Sequence, residues 1–441
     1  MRNVMTAALI VVSASAGASA KPLSVTECVA QAVTESGKTA EAEGKVHEWQ
    51  ARLAEVESLY YPKLSSMAYV APTYSARGDV FEAETHWRKP SDWGPYTHLQ
   101  ALLAQPLYSF GRIEAGTQAA AARLAVERAR VREVKNAIAV EVKKLYYLHL
   151  YALSMAPTLK SALDTVTTAI ERAEELYDKS SGEVTQSDVM KLHYAKSELS
   201  KYALQAKVGA PLALAALKHT MGLSDATPLE LAETLLPKLP DEPELELAEA
   251  LRVAARERPE WTEIEQGKSA AEKLELAEKL ANAPVVFVGG LLSWDWTPMR
   301  DRLNNPLLYQ QYNQVTGGVA LGVQWNVDPA LAFAKADGAH ALGEQVEALG
   351  KFASTGIALQ VKKAHDEVMQ ARELVALSDD GVMATRKWMA FAASAYFTGT
   401  GEAKDLLEGL VSYLQARRGY YDNLQAYYMA EAELRAAMGR L

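Results

Sequence analysis

One block of this sequence occurs twice, and that duplication constrains the fold more than any single motif. Ile138-Ala-Val-Glu-Val-Lys-Lys144 returns as Ile357-Ala-Leu-Gln-Val-Lys-Lys363, an offset of 357 − 138 = 219. The same offset pairs Leu102 with Leu321, Gln105 with Gln324, Ala115 with Ala334, Ala152 with Ala371 and Tyr177 with Tyr396. Farther on, Gly182 pairs with Gly399, Asp188 with Asp405 and Met221-Gly222 with Met438-Gly439, now at 439 − 222 = 217. A two-residue length change near 180–185 accounts for the shift. Self-similarity at a held offset marks a structural unit used twice.

Each copy reads as a helix, two strands and a long helical hairpin. In the first repeat, residues 21–224, Ser24-Val-Thr-Glu27 has capping-box spacing and opens a helix reaching about Tyr60. Strands are expected at about 63–76 and 96–108, with a loop from Arg77 to Pro95 that holds Pro, Gly, charge and two Trp. A hairpin fills about 112–221, and Pro157 in its first arm predicts a kink or break. A connector at 225–245 carries Pro228, Pro237, Pro240 and Pro243. The second repeat, 246–441, has a helix interrupted at Arg258-Pro259-Glu260, strands at about 285–296 and 314–327, and a hairpin at about 330–440.

The last of these strands is the clearest. Val315, Gly317, Val319, Leu321, Val323, Trp325 and Val327 alternate with small or polar residues, the period of a half-buried strand. The hairpin arms are equally constrained, since about 65 helical residues rising 1.5 Å each span close to 100 Å. Helices of that length must pack side by side as coiled coils. Leu406, Tyr413, Tyr420, Tyr427 and Leu434 recur every seven residues, with Leu410, Leu424 and Met438 between them. This spacing reads the tyrosines as helix packing rather than a base-stacking platform. Net charge is −9 with no Lys/Arg block, so no nucleic-acid footprint is present.

The first twenty residues, with Arg2, a short apolar core and Ala18-Ser19-Ala20, form a secretory signal peptide. Cys28 is the only cysteine, which excludes an internal disulfide, and its place in SVTECVAQAV reads as a buried helix position. No later segment has the 18 or so apolar residues of a membrane helix, so any membrane span must be made of strands. Four strands per chain fall short of the roughly eight a membrane barrel needs. Spanning strands therefore require several chains, and three chains would give twelve strands. A soluble half-buried sheet meets the periodicity equally well. Strand length, Trp294, Trp296 and Trp325 near strand ends, and long helices leaving one end of each pair favour the membrane.

The strand-to-helix junctions QPLYSFGRIEAG (Gln105–Gly116) and VQWNVDPALAFAKA (Val323–Ala336), the RPEW element (Arg258–Trp261) and the turns GEVTQSDV and YFTGTGEAKDLL resemble the TolC family of outer-membrane efflux proteins. The resemblance implies a mostly α protein with a transmembrane β part, assembled as a homotrimer. Its twelve-stranded barrel, four strands per chain, would continue as an α-helical barrel through the periplasm, with the 225–245 connector in an equatorial region. It implies hairpin tips at Gly182, Glu183, Thr185 and at Gly399, Thr400, Gly401, Glu402 that dock a periplasmic adaptor (membrane fusion protein) serving an inner-membrane transporter. Glu402 stands where the family has Ser or Thr, and Ser180 where a Gly is usual.

On this reading Val319, Leu321, Val323 and Trp325 face outer-membrane lipid. Asp188 and Asp405, with Glu183 and Glu402, would form a periplasmic gate that favours cations. The eight His are scattered, with no zinc-helix spacing, no G-x-S-x-G and no Walker A pattern, so no catalytic, metal or cofactor residues are expected. The alternative class is a soluble periplasmic coiled-coil adaptor, which would carry one helical hairpin in a β-rich chain rather than two.

Overall fold

The computed structural model describes residues 22–78, 81–179, 184–241, 243, 245–303, 307 and 311–441. The signal-peptide segment and the tip residues Gly182 and Glu183 lie outside the described residues. The chain forms two compact units: one holds residues up to Ala42, Val131–Pro259 and Ser354–Leu441, the other Glu43–Arg130 and Glu260–Ala353.

The second unit contains the sheet. Its strands are β1 (Lys63–Gly78), β2 (Ala83–His86), β3 (Trp93–Tyr108), β4 (Val285–Trp296) and β5 (Gln314–Gln324), all antiparallel, in the order β2-β1-β3-β4-β5. The two repeats meet where β3 pairs with β4. The described residues of the segment Arg77–Pro95, expected as a loop, include strand. β1 runs on to Gly78 and pairs antiparallel with β2, and β3 already begins at Trp93. Asp301 fastens the end of β1, accepting from the Gly78 N–H at 2.8 Å and from Arg77 at 2.7 Å.

At its other end β5 stops at Gln324, short of the expected Val327. Asn282 draws the following residues out of the ladder: its Oδ1 accepts the Asp328 N–H and its carbonyl the Trp325 Nε1–H, both at 2.7 Å. In β3 the register slips between Pro106 and Tyr108, a bulge where a proline, having no N–H, can be accommodated.

The first unit is helical. It holds α1 (Val25–Glu35), α4 (Gln186–Thr220), α5 (Leu247–Glu257) and α8 (Ala403–Ala437). It also takes in the later parts of α3 (Arg112–Asp178) and α7 (Pro329–Thr398). Its core is Ile138, Val142, Tyr146, Leu150 and Val166 of α3, Leu192 and Leu217 of α4, Val361 of α7, and Leu406, Leu410 and Leu424 of α8, all fully buried. Each such side chain contributes about 1.5–3 kcal/mol by leaving water. The heptad seam of α8 is largely buried: Leu406, Leu410, Leu424, Tyr427, Leu434 and, just past the helix, Met438 are buried, while Tyr413 and Tyr420 are half-buried. Cys28 is fully buried in α1, and burial pushes its thiol up to about 11.

Two helix expectations are corrected. The helix from Ser24 to Tyr60 is not continuous: α1 ends at Glu35, Ser36 is extended (ψ 136°), and α2 (Gly37–Glu57) starts afresh. Pro157, in turn, does not interrupt α3, which runs as one helix of 67 residues. Its ring lies on an exposed face between the buried anchors Ser154, Met155 and Leu159, so packing on the opposite face holds the helix through it. Among the described residues no helix is long and apolar enough to cross a membrane.

Among the described residues of 225–245, Leu231 bridges Leu23, and long-helix side chains meet several of the other backbone groups. Ser154 Oγ accepts the Leu236 N–H (2.8 Å), while Tyr428, Arg372 and His365 bond the carbonyls of Lys238 (2.8 Å), Pro240 (2.9 Å) and Leu245 (3.0 Å).

Candidate functional site

The sheet has two chemically different faces, fixed by the period-two geometry of its strands. Register places Leu64, Ala68 and Val70 of β1, Leu99 and Leu103 of β3, Leu292, Trp294 and Trp296 of β4, and Val315, Val319, Leu321 and Val323 of β5 on one side. All of these are exposed, Val319 at 81% and Leu321 at 72%. The opposite side carries Tyr69, Tyr96, His98, Gln100, Ser293, Asp295, Gln314 and Thr316, with Ser293 and Asp295 buried. An apolar surface exposed while carboxylate and hydroxyl groups are buried inverts the usual arrangement of a water-soluble sheet.

Aromatic rings bound the apolar face at both ends. Tyr74, Trp93, Trp294 and Trp296 stand at one end, and Tyr61 and Tyr108 at the other, where the β3 bulge brings Tyr108 into register with Val286. Trp325 adds to that second end from just beyond β5; its strand position is therefore corrected, although it remains 66% exposed. Among the described residues, the outer edge of β5 and most of the outer edge of β1 have no strand partner. Gly322 serves packing: a Cβ there would come within 2.7 Å of the Phe287 ring, which lies across the strand pair.

The two hairpin tips are built differently. At the first, Thr185 caps α4 in a complete capping box. Its Oγ1 accepts the Asp188 N–H at 3.3 Å, and Asp188 Oδ2 accepts the Thr185 N–H at 3.2 Å and hydroxyl at 2.6 Å. These bonds from Thr185, joined by Lys191 at 3.2 Å, hold the Asp188 carboxyl below the ordinary aspartate value. At the second tip α7 closes with Gly399 at φ +78°. The Gly399 N–H reaches Tyr396 O at 3.2 Å and the Thr400 N–H reaches Ala395 O at 2.9 Å, a Schellman motif. Gly401 sits so close to Ala395 that a Cβ would lie 2.7 Å from the Ala395 methyl. Glu402 occupies the N-cap of α8 without a side-chain cap bond, and Asp405 is exposed in the first turn. Tyr396 is buried beside this turn, its hydroxyl on Ala169 O of α3 at 3.0 Å.

Of the site residues expected from sequence, Thr185 and Asp188 touch each other, Gly399 to Glu402 form one turn, and Val319, Leu321 and Val323 share one exposed face. The Tyr396–Ala169 bond and the Asn282 clamp went unread, because each joins residues far apart in sequence.

The fold is that of the TolC-like outer-membrane channels. The structure aligns with the outer-membrane channel OprN (TM-score 0.74, 16% identity, covering 94% of this chain and 89% of OprN). It aligns also with the outer membrane protein VceC of Vibrio cholerae (0.74, 15%, 94% and 96%) and the CmeC outer membrane channel of Campylobacter jejuni (0.76, 13%, 94% and 85%). No family model and no curated protein matches the chain.

Proposed function

We propose that three copies of this chain form an exit duct through the bacterial outer membrane, working in efflux or secretion. The observation that carries this reading is the sheet with an exposed apolar face, aromatic rings at both ends and two open edges. Hydrocarbon does not tolerate open edges. Pairing β5 of one copy with β1 of the next removes them, and three copies bring twelve long strands together, within the range of membrane barrels. Val319, Leu321 and Val323 then face lipid, with Trp325 at the interface. Exposed apolar residues on the helices fit the same assembly: Tyr194, Leu204, Val208 and Leu212 on α4, and Leu359, Leu377 and Phe391 on α7.

In this reading the tips around Thr185 and Gly399–Glu402 reach into the periplasm and dock an adaptor that connects the duct to an inner-membrane transporter. Asp188 and Asp405 lie beside the opening as gate carboxylates. The chain performs no chemistry; it conducts.

Cell fractionation tests the reading. A trimer in the outer-membrane fraction whose gel migration shifts on heating is expected. Release of the protein as a monomer by osmotic shock would sink it.

A further inference from the structure

On the polar face of the sheet, near the Trp93 end of β3, several side chains converge on one carboxylate. Asp295 of β4 accepts the Tyr96 hydroxyl and Ser293 Oγ (3.0 Å), and His98 Nδ1 lies 2.7 Å from its Oδ1. Tyr69 of β1 lies against the imidazole, ring centroids 4.9 Å apart. The Asp295 side chain is only 7% exposed and that of His98 14%. A carboxylate this buried is costly unless its lone pairs are taken. Here three donors take them, so His98 carries its proton on Nδ1 and leaves Nε2 as the atom that gains or loses one. No described residue bonds Nε2.

Strand pairing does not require this group. The leading helices align at an offset of 222 (Ser24 with Glu246), which sets Thr73 of β1 at the station of Asp295 (295 − 222 = 73); the ladder pair Tyr69–His98 then corresponds to Leu291–Gly318, which sets Gly318 of β5 at that of His98. Neither residue carries a charge. The pair belongs to the seam between repeats alone, once per chain.

We propose that Asp295 and His98 form a proton-set charge filter inside the barrel near its outer mouth, favouring small cationic solutes at neutral pH. The proposal rests on the channel reading above. With neutral imidazole each pair carries one negative charge; with imidazolium it carries none. Three copies therefore take the local lumen charge from −3 to zero, and rings of like charge set the ion preference of a water-filled pore. Imidazole is the side chain that ordinarily changes charge between pH 5 and 8, whereas carboxylates titrate lower. The groups facing His98 are Asp295 from β4, Tyr96 from its own strand and Tyr69 from β1. Ser293 and Gln314 beside them are neutral.

The test is the reversal potential of the full-length protein in planar bilayers under a KCl gradient, at pH 8 and pH 5.5. The wild type is expected to prefer K⁺ at pH 8 and to lose much of that preference at pH 5.5. His98→Gln, which keeps a donor for Asp295, should at least halve the change. Asp295→Asn should lower K⁺ preference already at pH 8; should it fail to assemble, His98→Gln still decides. A pH response in His98→Gln equal to that of the wild type overturns the filter while leaving the channel intact. Absence of current from every protein, wild type included, overturns the channel reading and the filter with it.

Discussion

The two repeats hold the same backbone stations with different side chains. The leading helices α1 and α5 each have 11 residues, α2 and α6 (Pro259–Lys279) each 21, and the return helices α4 and α8 each 35. Both return helices end in Met-Gly with the glycine at positive φ, +75° at Gly222 and +84° at Gly439. Each glycine presses on the end of its leading helix, where a Cβ would lie 2.6 Å from Glu35 O or 2.8 Å from Glu257 O. The carbonyls of Leu23 and Leu245 are bonded from matching positions, by the Tyr146 hydroxyl at 3.4 Å and by His365 Nε2 at 3.0 Å. Capping separates the copies. Ser24 and Thr185 make full capping boxes in the first, and their counterparts Glu246 and Glu402 make no side-chain cap in the second. What survives duplication is the backbone geometry that only glycine or a close carbonyl contact can satisfy; caps worth about 1 kcal/mol are exchanged.

The sharpest way to break this equivalence is at the glycines. Gly222→Ala and Gly439→Ala should each destabilise by roughly 2–4 kcal/mol, from the left-handed backbone together with a methyl forced onto a carbonyl. The thermal midpoint of the helical circular-dichroism signal measures both. Tolerance of one and collapse of the other would show that the stations differ.

Much of this architecture was legible in the sequence because it follows from local periodicity. The alternation from Val315 made β5 visible, heptads marked the buried line of α8, and Ser24-x-x-Glu27 announced a cap that both partners complete. What stayed hidden depends on contact across the chain. The break at Ser36 lies where Gly222, 186 residues on (222 − 36 = 186), comes against the end of α1. The end of β5 is set by Asn282, and Asp301 fastens the end of β1. The Asp295–His98 pair spans 197 residues and is visible only once the β3–β4 register is known. Pro157 failed as a helix-breaker for the same reason, since neighbouring buried side chains outweigh the local penalty.

A smaller effect tests the caps. Ser24→Ala and Thr185→Ala should each cost about 1 kcal/mol, whereas Glu246→Ser and Glu402→Thr should each gain roughly 0.5–1 kcal/mol by completing boxes with Glu249 and Asp405, which already stand at the third helical position. Denaturant midpoints decide it. A loss on introducing Ser or Thr into the second copy would mean that Glu246 and Glu402 serve some partner better than they serve the helix.

The smallest expected effect is on pH. The Asp188 carboxyl is held below its ordinary value by the Thr185 hydroxyl and N–H and by Lys191. A depressed folded value means the cap contributes fully above the unfolded aspartate value of about 3.9 and is lost as pH falls through it toward the lower folded value. The loss should be a few tenths of a kcal/mol, since the site is at the surface and the helix-end interaction is modest. Hydrogen exchange of the first-turn amides resolves it: between pH 6 and pH 3, protection at Ser187–Val189 of α4 should fall, while that at Lys404–Leu406 of α8, whose N-cap side chain makes no such bond, should hold. Equal loss at both tips would mean that acid loosens the hairpins by a route other than the Thr185–Asp188 box, and the difference between the two copies would then have no energetic consequence at the tips.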